Sequence, residues 1–121
     1  MAHYAARYIH RGSVANADWS LGSGLTEDGT WRDLDCSGII LAGGVAAVVK
    51  ITARDAAVAK TISLRKKGDT GGQSALVFRQ QVANVFNEHV GVVAVDSNRF
   101  MQYEIPAGWD DYWITILGWF I

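Results

Sequence analysis

Two carboxylates, Asp33 and Asp35, stand two residues apart in the run Thr30-Trp31-Arg32-Asp33-Leu34-Asp35-Cys36. On an extended chain they share one face, about 6–7 Å apart. Glycosidases hold their two carboxyl groups at such separations. Any solvated strand face produces the same spacing, with the acids paired to Lys or Arg on a neighbouring strand, and that is the reading taken here. Asp110 and Asp111 form a second acidic pair, in the loop Pro106-Ala107-Gly108-Trp109-Asp110-Asp111. Loop oxygens suit Ca2+, yet no Asp-x-[Asp/Asn]-x-[Asp/Asn]-Gly pattern surrounds them, so no metal site is expected.

Other reactive types are scattered. His3, His10 and His89 have neither the i, i+4 spacing nor the paired cysteines of a zinc site. The nucleophile elbow Gly-x-Ser-x-Gly is absent. Gly68, Gly71 and Gly72 beside Arg65, Lys66 and Lys67 copy the composition of a phosphate cradle, but no Gly-Lys-Ser/Thr enters a helix there. A solvated hairpin tip is expected instead. Cys36 is the one cysteine, so it forms no internal disulfide and should pack as a small hydrophobe. Neither an enzymatic role nor a cofactor is expected.

Tryptophan is the enriched type, at positions 19, 31, 109, 113 and 119. Trp109 beside Asp110 and Asp111, with Trp31 near Asp33, could form a saccharide platform, an aromatic plate flanked by acceptors. Core or subunit-interface packing is the stronger expectation for such rings.

The formal net charge of −1 excludes the basic face that nucleic-acid binding requires. No apolar run is long enough to span a membrane, and the first seven residues lack a signal-peptide core. The chain should therefore be made in the cytoplasm. At 121 residues it fits one domain.

The elements that position these residues read as β throughout. One proline and thirteen glycines punctuate short runs rich in Val, Ile, Thr and aromatics. Extended segments are expected at 8–10, 18–21, 30–36, 45–54, 60–67, 75–85, 90–95, 99–105 and 112–121. The alternation Val45, Ala47, Val49, Ile51, Ala53 against Lys50, Thr52 and Arg54 marks the clearest inner strand. The fold expected is an all-β, single antiparallel sandwich of about eight strands, jelly-roll-like, with a closed barrel as the alternative.

The last ten residues are nearly all apolar. Alternation places Tyr112, Ile114, Ile116 and Phe120 on one face and Trp113, Leu117, Trp119 and Ile121 on the other. A small domain ordinarily wets one face of its sheet. The second face, with Val93 and Val95 of a similarly two-sided strand, is therefore expected to meet another subunit.

Short motifs recur along the chain: Tyr8-Ile9-His10-Arg11-Gly12, Ala17-Asp18-Trp19, Asp28-Gly29-Thr30-Trp31-Arg32-Asp33-Leu34-Asp35, Ala53-Arg54-Asp55, Arg65-Lys66-Lys67-Gly68, Gln81-Val82-Ala83-Asn84-Val85, Val95-Asp96-Ser97-Asn98-Arg99 and Ile116-Leu117-Gly118-Trp119. In that order they resemble small, largely uncharacterised all-β proteins encoded in tailed-phage genomes and environmental DNA. The resemblance implies a virion- or tail-associated β-sandwich with no catalytic residues to carry over. The expectation is a self-assembling structural homo-oligomer, a cyclic ring, with other virion proteins or surface glycans as further partners. A multivalent carbohydrate-binding module is the alternative.

Overall fold

The computed structural model describes residues 7–121. His3 and most of the amino-terminal segment read for a signal peptide lie outside these residues. Among the described residues nine strands form: β1 (Tyr8–His10), β2 (Trp19–Ser20), β3 (Arg32–Asp35), β4 (Ala46–Arg54), β5 (Thr61–Lys66), β6 (Leu76–Arg79), β7 (Asn87–Ala94), β8 (Phe100–Glu104) and β9 (Asp111–Phe120). A 3-10 turn at Gly72–Ser74 is the one helical element among the described residues.

The pairings nest. The hairpin β5–β6 lies innermost, followed by β4–β7, β3–β8, and finally β9 with β1 and β2. Alternate pairs fall in different sheets. One sheet has the order β1-β9-β4-β7, with β2 also on β9, and the other has β3-β8-β5-β6. Because β1 and β2 line up along one edge of β9, they act as one interrupted strand, which makes the arrangement an eight-strand jelly roll. The sheets pack face to face without closing, so the sandwich holds and the barrel does not. No helix among the described residues is long and apolar enough to cross a membrane.

Alternation places the core. Ala47, Val49, Ile51 and Ala53 on β4 face Ile62 and Leu64 on β5 and Met101 and Tyr103 on β8, all buried. Val45 does not join them: it precedes the strand and is 56% exposed. The segment expected at 75–85 ends early, because Gln80 turns inward. Its side-chain amide donates to the carbonyls of Val82 and Val85 (2.6 and 2.8 Å) and folds 80–86 into a loop. The following strand starts correspondingly early, at Asn87.

The terminal strand carries a bulge. Val49 pairs with Ile116 but Val48 with Gly118, leaving Leu117 as an extra residue. A bulge of this kind inverts the alternation beyond it. Ile116 and Trp119 consequently both point inward, and Phe120 moves to the outer side. Trp119 is 5% exposed and belongs to the core, which corrects the expectation that it lies on an intersubunit face. Val93 and Val95 are corrected in the same way, at 2% and 4% exposure; the outer residues of β7 are Val90 and Val92, at 55% and 59%. Trp113 and Leu117 keep their outward positions, whereas Ile121 lies past the end of β9, 39% exposed but no longer in step with them.

Candidate functional site

The register of the five-stranded sheet sets its outer surface in rows across β9, β4 and β7. Trp113 lies beside Thr52 and Glu88, Thr115 beside Lys50 and Val90, Gly118 beside Val48 and Val92, and Phe120 beside Ala46 and Ala94. Tyr8 extends the last row, its ring 5.4 Å from that of Phe120. The surface is therefore split. The half toward Asp111 is polar, with a Lys50–Glu88 ion pair at 3.2 Å. The half toward Ile121 holds Val48, Val92, Ala46, Ala94, Phe120, Leu117 and Tyr8, with the His10 imidazole at its margin beside Gly118 and no Asp, Glu, Lys or Arg in these rows.

In the polar half a cleft of about 440 Å³ opens between the sheet and the segment joining β1 to β2, lined by His10, Asn16, Lys50, Thr52, Trp113 and Thr115 among others. One device holds that segment. Arg11 donates twice to Asp18 (2.6 and 2.8 Å) and once to the carbonyl of Ile116 (3.0 Å). Asp18 in turn accepts from the Ile116 N–H at 2.8 Å. The clasp satisfies the edge of β9 where neither β1 nor β2 reaches it. Hydrogen bonding to Asp18 raises the Arg11 pKa further. Both residues lie in the motifs around Arg11-Gly12 and Asp18-Trp19, but nothing in their spacing announces that they pair.

The proposed saccharide platform does not form around Trp109. That ring is 3% exposed, stacks in tilted contact on Phe78 (6.0 Å) and donates its N–H to the Thr61 carbonyl. Asp110 accepts from the Ala56 N–H and Asp111 pairs with Arg54 at 3.1 Å, so the two acids serve different neighbours. Trp31 immediately precedes β3 of the other sheet, with the Arg65 guanidinium 3.9 Å from its ring centroid.

Asp33 and Asp35 are likewise engaged separately. Asp33 pairs with Lys67 at 2.8 Å and accepts from Gln102, contacts that hold its carboxyl below its ordinary pKa. Asp35 caps the turn at Ser37, which lowers its pKa too. The run Trp31, Arg65, Gln102, Asp33, Lys67 gives this outer face a polar, internally bonded surface. Cys36 is fully buried, and burial together with the Asp35 charge pushes its thiol up to about 12. His10 and His89 are exposed and far apart in the sequence. No group of three metal-ligating side chains gathers among the described residues.

Asp55, which the sequence shows only as part of the motif Ala53-Arg54-Asp55, is a buried carboxylate. It is 2% exposed and receives three donors: the Ala57 N–H (2.8 Å), the Lys60 ammonium (2.9 Å) and the Asp110 N–H (3.1 Å). Burial alone would raise its pKa, but these donors outweigh it and leave the carboxyl below its ordinary value. Lys60 also donates to the Gly108 carbonyl (2.6 Å), so one ion pair pins the β4–β5 and β8–β9 loops together.

No protein-family model matches the chain. No curated protein matches it either. The main feature of the surface is an uncharged, partly exposed apolar half-face on the five-stranded sheet.

Proposed function

We propose that this protein is a self-assembling structural module, a closed homo-oligomer whose subunits meet through the apolar half of the outer face of the five-stranded sheet. One observation carries the reading: the rows Gly118–Val48–Val92 and Phe120–Ala46–Ala94 face outward with no charge among them. Val92 alone is 59% exposed. Exposed apolar patches rimmed by polar groups mark interaction surfaces. The opposite sheet, by contrast, wets its outer face with paired charges. The order of motifs along the chain supports a place in a phage virion or tail, where repeated copies of one small β-sandwich would act as a structural part. Light scattering on the purified chain tests assembly. A mass that is a multiple of 13.2 kDa is expected. A variant with Leu117→Asp should lower it.

A second reading, saccharide binding, moves from Trp109 to the cleft at Trp113, where an indole that is 37% exposed stands among Asn16, Thr52 and Thr115. Glycan-array binding that disappears in Trp113→Ala would support it, and an empty array would remove it.

A further inference from the structure

The two sheets end in strands of very different length. β1, β2, β3 and β6 have 3, 2, 4 and 4 residues, and three of the four residues of β3 are Arg32, Asp33 and Asp35. Short or charged edges of this kind resist pairing with other chains. β7 is the exception, with 8 residues and neither proline nor bulge, paired only with β4 in an unbroken register.

Its hydrogen-bond phase can be read directly. The Val95 N–H donates to the Val45 carbonyl at 2.9 Å, so the odd-numbered residues of β7 bond to β4. Glu88, Val90, Val92 and Ala94 then direct their N–H and C=O groups away from the sheet. These are also the residues whose side chains lie on the outer face.

We propose that β7 pairs with β7 of a second copy, antiparallel about a two-fold axis at Gly91, joining two five-stranded sheets into one. This rests on the self-assembly reading above and names the contact that begins it. The register follows from matching. With Gly91 on the axis, Val90 faces Val92 of the other copy and Glu88 faces Ala94, so every outward N–H and C=O between Glu88 and Ala94 is satisfied. The outer side gathers four valines, and the two Glu88 carboxylates stay at opposite ends. Shifting the axis to Val90 would leave Ala94 outside the core of the ladder and set Glu88 against Val92. A two-fold contact of this kind is self-complementary by construction. It also places the apolar half-faces of both subunits side by side on one surface.

Proline separates this contact from the fold. At position 90 or 92 it removes an N–H that β4 does not use, so the native ladder survives while the new one is broken. Val90→Pro and Val92→Pro should each keep the native circular-dichroism spectrum and sediment at the mass of one chain, or at half the subunit number of the parent. Should either variant misfold, a cysteine pair supplies the answer. Val90→Cys/Val92→Cys should oxidise to a covalent dimer, whereas Val90→Cys alone, whose thiols would face valine, should cross-link poorly. Folded proline variants of unchanged mass, or no covalent dimer from the cysteine pair, would overturn edge pairing while leaving face-mediated assembly standing. A parent chain that is monomeric at every concentration would overturn both.

Discussion

Trp113 and Trp119 lie on the same strand at even spacing, yet they point to opposite sides of the five-stranded sheet. The extra residue at Leu117 separates them. Their substitutions should therefore differ sharply. Trp119→Ala opens the core and should cost about 3–5 kcal/mol. Trp113→Ala removes a half-exposed ring in contact with Phe86 and should cost less than about 1.5 kcal/mol. Urea unfolding of the two variants measures the gap, and equal losses would contradict the bulge.

Gly118 and Gly91 form a second contrasting pair. A Cβ at Gly118 would overlap the Tyr8 hydroxyl and also the Ile9 carbonyl, which is backbone. A Cβ at Gly91 would meet the Leu76 side chain, its two methyl carbons first and then Cγ, with no backbone atom among these nearest neighbours. Gly118→Ala should cost about 1–3 kcal/mol and resist rescue by Tyr8→Ala. Gly91→Ala should be milder and should be relieved by Leu76→Ala. The two double variants, followed by thermal unfolding, decide it.

How much of this was legible in the sequence follows from which signals are local. The period-two pattern of Val45 to Arg54 and the turn residues at Asp28-Gly29 and Asp96-Ser97-Asn98 place strands and corners well. Gly29 has φ +71°, and Asp96 accepts from the N–H groups of Asn98 and Phe100. Two-sided apolarity at 112–121 correctly signals a strand with much to hide. It could not say which tryptophan lies outside, because a bulge is set by the partner strand rather than by the residues it displaces. The same limit applies to Asp55 and Lys60, whose meaning depends on Asp110, 55 residues further along. Trp109 looks like a ligand plate in a polar loop, but Phe78 and the Thr61 carbonyl, both distant in sequence, draw it into the core.

The Arg11–Asp18 clasp should be visible in amide exchange. Asp18→Ala removes the acceptor of the Ile116 N–H, so that amide should exchange much faster while the amides of Trp113 and Thr115, which face Thr52 and Lys50 on β4, stay protected. Arg11→Lys loses the two-pronged geometry and should give an intermediate rate. Unchanged protection at Ile116 would mean that water or another group already serves that N–H.

Cys36 should be inert while the chain is folded. Its side chain is buried and its thiol is pushed up to about 12, so almost no thiolate forms near neutral pH. A thiol reagent at pH 8 should label it only as fast as the protein opens, and labelling should become immediate in denaturant. Rapid labelling of the native protein would show that the strand end at Asp35 is loose.

Asp55 gives the pH dependence its sign. Its folded carboxyl has a lower pKa than the unfolded one, so the unfolded chain binds the proton more tightly. Its contribution is therefore fully present above the unfolded value, about 3.9, and is lost as pH falls through the folded one. Asp55→Asn keeps an acceptor but leaves the partly buried Lys60 ammonium facing a neutral group, which should cost about 1–3 kcal/mol near pH 7. The deficit should shrink as the wild type is acidified toward pH 3, because protonation removes the same charge. Urea midpoints for both proteins between pH 3 and 7 test this, and parallel curves would show that Asp55 is not the group whose proton matters.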